Sequence, residues 1–134
     1  MDELLKAIIA KFNATGAATL KTACVGGMWL GMAPRGTAYP FITLTVIPSN
    51  MTYAMGSAAE ISDAEIRFSI WDSSRAMASI IAILPLVKAQ YDNTILTMTG
   101  YTNILAMRIG DGVSIEDEDR GWQWMLPYRY IYVK

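Results

Sequence analysis

Apolar positions along the chain repeat with two periods, and the points where the period changes mark the elements. Leu4, Leu5, Ile8, Ile9 and Phe12 fall on one helical face, with Lys6 and Lys11 off it. Asp2 and Glu3 sit at the positive end of the dipole and Gly16 follows the last apolar position, so the spacing predicts a first helix over about residues 2–14. From Cys24 to Pro40 the sequence turns to glycine, methionine and small residues, CVGGMWLGMAPRGTAYP. Its glycines and prolines argue against a helix and predict an extended arm or short strand over 28–32, then a turn at 33–36. FITLTVI, residues 41–47, is β-branched and apolar on both faces, as in a central strand. Residues 48–59, PSNMTYAMGSAA, read as a long loop holding Met51, Tyr53 and Met55.

The next stretch alternates. Ile66, Phe68 and Ile70 point one way, while Asp63, Glu65, Arg67 and Ser69 point the other, which predicts a half-buried strand over 60–71. Asp72-Ser73-Ser74 is a helix-capping signal, and Met77, Ile80, Ile81, Leu84 and Val87 follow at helical spacing as far as about Tyr91. Pro85 lies inside this second helix and is expected to kink it near Ile81. Strands over 94–99 and 102–109 follow, joined at Gly100, and then an acidic loop over 110–121, GDGVSIEDEDRG. In the last strand, 122–133, Trp122, Trp124, Leu126, Tyr128, Tyr130 and Tyr132 share one side. Pro127 cannot donate to a ladder, so this strand is expected at an edge or bulged there. Helices too few to cover both faces of the sheet predict an α+β fold: one single domain over 1–134, one mainly antiparallel β-sheet, two α-helices on one face, an extended arm and long loops.

Composition sharpens this picture. Apolar residues make up 53% of the 134 and charged residues 17%, which excludes a disordered chain. Eleven basic and twelve acidic residues leave a net charge of −1, with no excess to hold nucleic acid or an anionic membrane. So apolar a chain with so little net charge suits a protein that works assembled. Histidine is absent, which removes imidazole metal sites, Ser-His-Asp and Cys-His nucleophiles and imidazole acid–base chemistry. Cys24 is the single cysteine and, among Ala23, Val25 and Gly26, reads as a small apolar filler. The first residues are acidic and lack a basic leader pattern, and the longest apolar stretch, 76–87, is too short to span a bilayer. A soluble intracellular protein without a membrane segment is the expectation.

Three features compete for a chemical role. Asp111, Glu116, Asp117, Glu118 and Asp119 cluster, but their spacing does not fit a helix-flanked calcium loop, and they read as a solvated run or a negative surface. The aromatic row of the last strand could stack bases, yet only Arg129 and Lys134 lie near it, so it reads as a core face or a subunit interface. Gly26, Gly27, Gly31 and Gly36 form no phosphate loop. Met28, Trp29, Met32, Arg35 and Tyr39 in the arm, and Met51, Tyr53 and Met55 in the loop, read as contact surface. No catalytic constellation, cofactor or metal site emerges. A different reading is a ligand-binding or enzymatic α+β module that dimerises through its aromatic strand, with a pocket holding Asp63, Glu65 and Arg67.

The amphipathic first helix, Val25-Gly26-Gly27-Met28-Trp29, and the segment APRGTAYPFI (33–42) precede a strand ending Ile70-Trp71-Asp72. With the alanine-bearing helix and the aromatic last strand, this order resembles the tail-completion or tail-terminator (head–tail joining) proteins of long-tailed bacteriophages over nearly the whole chain. The resemblance implies a non-enzymatic virion protein, assembled in the host cytoplasm into a hexameric ring at the tail's head-proximal end. Such a ring ends tail-tube polymerisation and meets the tail tube protein and the head connector or stopper, while DNA passes without specific binding. It does not separate a terminator from another neck component. Pro85 and the dense acidic run depart from the family's pattern. In such a ring Asp111, Glu116, Asp117, Glu118 and Asp119 are expected to face the lumen, where like charge keeps DNA from adhering.

Overall fold

The computed structural model describes residues 2–14, 18–47, 51–53, 60–73, 77–117 and 121–134. Along the chain run α1 (Asp2–Asn13), α2 (Ala18–Ala23), β1 (Met28–Leu30), β2 (Phe41–Ile47), β3 (Met51–Tyr53) and β4 (Glu60–Asp72). They are followed by α3 (Ala78–Tyr91), β5 (Thr97–Met98), β6 (Tyr101–Arg108), β7 (Val113–Asp117) and β8 (Gly121–Val133). The fold is α+β, with one sheet ordered β1-β2-β4-β8-β6-β5, β3 beside β4 and β7 beside β8. Every strand pair is antiparallel except β1 with β2.

The centre of the sheet is the pairing of β4 with β8, continuous from Ile61 opposite Val133 to Asp72 opposite Trp122. Because side chains alternate across a strand, this register puts Ala64, Ile66, Phe68 and Ile70 on the same face as Leu126, Tyr128 and Tyr130. All of these are buried. The helices cover that face: Leu4, Ile8 and Phe12 from α1, Leu20 from α2, and Ile80, Ile83, Val87 and Tyr91 from α3 join one core with it. Phe68 sits at the middle, its ring centroid 4.9 Å from Tyr91 and 5.0 Å from Tyr128. The Tyr91 hydroxyl donates to the Ile8 carbonyl at 2.9 Å and so ties α3 to α1.

Several expectations need correction. Among the described residues there are three helices, not two, because α2 is only six residues long and so short a helix leaves no readable period. The loop expected over 48–59 contains β3, which continues the β2 side of β4; Met55 lies outside the described residues. The acidic loop expected over 110–121 contains a strand, β7, paired with β8 from Val113 opposite Met125 to Asp117 opposite Gly121. The strand expected over 94–99 is only Thr97–Met98. The last strand is neither an edge nor bulged at Pro127, which pairs with Arg67 inside the sheet. Pro127 accepts from the Ile109 N–H at 2.9 Å, and a strand residue's N and O face the same side. Its missing donor therefore falls where β6 has ended and β7 has not begun.

The α3 helix starts later than its capping signal. Met77 caps it in the left-handed region at φ 56°, and the Asp72 carboxylate accepts from the Ser79 N–H at 3.1 Å, so the predicted cap acts from seven residues away. Pro85 is inside the helix, which runs through it. It shares the exposed side of the helix with Ile81, whose carbonyl is the one left without the proline's missing N–H. Ile81, predicted in the apolar stripe, is 63% exposed; Ile83 takes its place in the core.

Phe68→Ala is expected to cost about 3–5 kcal/mol in urea unfolding, since it empties the centre of the core. Tyr130→Phe is expected to be neutral or to stabilise by up to about 1 kcal/mol in the same assay, because the buried Tyr130 hydroxyl has no hydrogen-bond partner among the described residues.

Candidate assembly surface

Among the described residues no helix lies on the sheet's second face. Its register sets Asp63, Glu65, Arg67, Ser69 and Trp71 of β4 beside Met125, Pro127, Arg129 and Ile131 of β8. The charges are largely settled among themselves. The Arg129 guanidinium donates to both Asp63 oxygens, 3.0 and 3.2 Å from Nε, and holds that carboxyl below its usual range. Arg67 Nε donates to Glu65 at 3.2 Å. Trp71 lies against Phe41 and donates from Nε1 to the Thr43 hydroxyl at 3.0 Å.

Between β6 and β7 the chain leaves the ladder over residues 109–112 and then rejoins β8. Arg108 fixes this break. It donates from Nε to both Asp92 oxygens (3.2 and 3.0 Å), from Nη1 to the Gly110 carbonyl at 3.0 Å, and from Nη1 to Asp111. Tyr128 completes the cluster with a 2.6 Å bond to Asp92, and Trp124 donates to the Asp111 carbonyl at 3.0 Å. Gly112 has φ +84°, and a Cβ there would run into the Met125 carbonyl and stand 2.6 Å from Trp124 Nε1, so only glycine fits. The break shapes a groove of about 450 Å³ on the open face, with Met125 and Pro127 in its lining, Glu65 and Arg67 from β4, and Ile109 and Val113 from the break and β7.

Apolar side chains line this edge. Met107 is 38% exposed, Ile109 51%, Val113 60% and Ile115 40%. The sheet's opposite edge has a second strip. Glycine conformations shape it: Gly27, Gly31 and Gly36 all have positive φ, and a Cβ at Gly26 would collide with the Ala38 carbonyl. Trp29, its indole donating to the Gly26 carbonyl at 2.7 Å, is exposed there with Val25, Leu30, Met32 and Tyr39.

The candidate residues named from the sequence divide accordingly. Trp29, Met32, Arg35 and Tyr39 are at the surface, whereas Met28 is in the core. Met51 and Tyr53 are in β3. Asp111 is exposed but paired with Arg108, with Lys88 3.7 Å away, and its carboxyl is held below the usual range chiefly by Arg108. Glu116 is exposed and Asp117 ends β7, while Glu118 and Asp119 lie outside the described residues. Glu65 and Arg67 line the groove, but Asp63 is engaged by Arg129 instead. The aromatic row is core: Tyr128, Tyr130 and Tyr132 are buried, which removes it as a dimer surface. Sequence reading missed Val113 and Ile115, whose alternation in Val-Ser-Ile-Glu-Asp was masked by the acids beside them. No group of three or more Cys, Asp or Glu among the described residues is placed to hold a metal ion, and no helix among them is long and apolar enough to cross a membrane.

No protein-family profile matches the chain, and no curated protein matches it in sequence. A solved structure does share its fold: a chain of the virion of a native gene transfer agent particle superposes with a TM-score of 0.76 at 13% identity, over 99% of this chain and 96% of that one.

Burial pushes the Cys24 thiol up to about 12 and raises the hydroxyls of Tyr91, Tyr128 and Tyr130 as well. The folded chain thus keeps protons that the unfolded chain releases from about pH 8.5 for the thiol and about pH 10 for the phenols. Stability is expected to be full below that window and to fall as pH rises through it. Cys24→Ala should lower the slope between pH 9 and 10 by up to about one proton, read from urea midpoints; an unchanged slope would contradict the assignment.

Proposed function

We propose that this chain is a structural protein of a phage-type virion, without catalytic activity. Its copies close into a ring, a hexamer as the resemblance implies, at the head-proximal end of the tail. There the ring ends polymerisation of the tail tube and joins it to the head connector or stopper. The observation that carries this reading is the end-to-end likeness of its fold to a virion chain. Two further features support it. Apolar strips at opposite edges of one sheet suit head-to-tail closure of identical subunits, which needs two different surfaces per copy. The charged groups of the open face pair with one another, as in a structural surface.

In this reading the acidic residues that follow Glu116 in sequence, Asp117, Glu118 and Asp119, border the lumen and repel passing DNA. The segment holding Met51, Tyr53 and Met55 contacts an axial partner. The groove by Glu65 and Arg67 favours a ligand-binding module instead, but its two charged groups already bond each other.

Tail-tube protein of the same virus, polymerised with and without this chain, tests the proposal by negative-stain electron microscopy. The expected result is tubes of restricted length with a ring of extra density at one end. Tubes of unchanged length with no bound chain would overturn it.

A further inference from the structure

Most of the large apolar side chains exposed among the described residues lie at the two edges of the sheet. One strip, at the β1 edge, holds Trp29, Leu30 and Met32; the other, along β6 and β7, holds Ile109, Val113 and Ile115. Among the described residues β7 pairs with β8 alone, so its outer backbone edge is open. Exposed apolar edges of this kind favour pairing with another chain.

The charges of the two strips differ. From Cys24 to Ile47 the only charged residue is Arg35, which is exposed and has no ion-pair partner among the described residues. On β7, Glu116 is exposed and likewise without an ion-pair partner among them, in contrast to Asp111. Val113 and Ile115 project to one side of β7 and Glu116 to the other, so a partner lying along the edge meets both. Two copies joined through the same strip would set Arg35 near Arg35, or Glu116 near Glu116. Joined through unlike strips, cation faces carboxylate. The break at 109–112 adds a concave site on the same strip for a projecting side chain.

Resting on the ring reading above, we propose that the β1 edge of one copy packs on the β6–β7 edge of the next. Trp29, Leu30 and Met32 cover Ile109, Val113 and Ile115, and Arg35 faces Glu116. The occupant of the β6–β7 strip is a second copy of this chain, and the contact repeats around the ring.

Two variants test the pairing, one carrying Leu30→Asp with Met32→Asp and the other Val113→Asp with Ile115→Asp. All four positions are exposed, so both variants should melt as the wild type does. Each alone should remain monomeric in sedimentation velocity at concentrations where the wild type forms rings, with tail-tube protein present where closure requires it. Mixed, they should give a 1:1 dimer and nothing larger, since one intact strip remains on each. In a second measurement, Arg35→Glu or Glu116→Arg alone should raise the concentration needed for assembly by about tenfold, and the two together should restore it. If wild-type rings form but either double variant assembles normally, or the mixture gives no dimer, or the charge exchange fails to restore assembly, the pairing is overturned while the ring reading stands. A wild type that stays monomeric, or stops at a dimer, with and without tail-tube protein overturns both.

Discussion

The register between β4 and β8 is the constraint on which the molecule depends. Both strands are thirteen residues long and paired almost end to end, and each has one apolar and one mixed face. A slip of one residue in either would carry its core side chains, Phe68 or Tyr128 among them, to the opposite face, away from α1 and α3. With this register the rings of Phe68, Tyr91 and Tyr128 meet and anchor α3. The Tyr91 hydroxyl then fixes α1, and the Tyr128 hydroxyl reaches Asp92 at the end of α3. Burying hydroxyls with bonded tips gives the core directional contacts that aliphatic side chains alone do not provide.

That cluster also shapes the surface. Asp92 holds Arg108, and Arg108 holds the carbonyl of Gly110 and the carboxylate of Asp111. The break between β6 and β7 is thus tied to the core rather than left as a loop, and its position opposite Pro127 removes a ladder bond that proline could not make. The groove and the apolar strip beside it follow from this local irregularity. A fixed surface loses less freedom on assembly than a flexible loop would, which favours its use as a contact.

Much of this was legible in the chain. Alternation placed β4 and β8 and separated their faces, the first helix was visible from its apolar spacing, and Phe41–Ile47 read correctly as an inner strand. What could not be read depended on partners distant in sequence. The edge or bulge expected from Pro127 failed because a gap between two other strands receives the proline. Val113 and Ile115 were hidden in an acidic run because net charge dominates a window that short, although the period of two was present. Ile81 and Ile83 were exchanged because α3 is apolar around much of its circumference, so spacing alone did not fix its buried side. At the arm, the glycines marked an irregular path, while the inward turn of Met28 came from pairing β1 with β2.

The central claim is that the two sheet edges exist to meet sister copies. Hydrogen–deuterium exchange, compared between the assembled and the dissociated protein, tests it most directly. The account predicts slowed exchange at 28–32 and at 109–117 on assembly, with the amides of α3 unchanged. Protection confined to α3 or to the β4–β8 centre, with both edges exchanging as in the free chain, would contradict it.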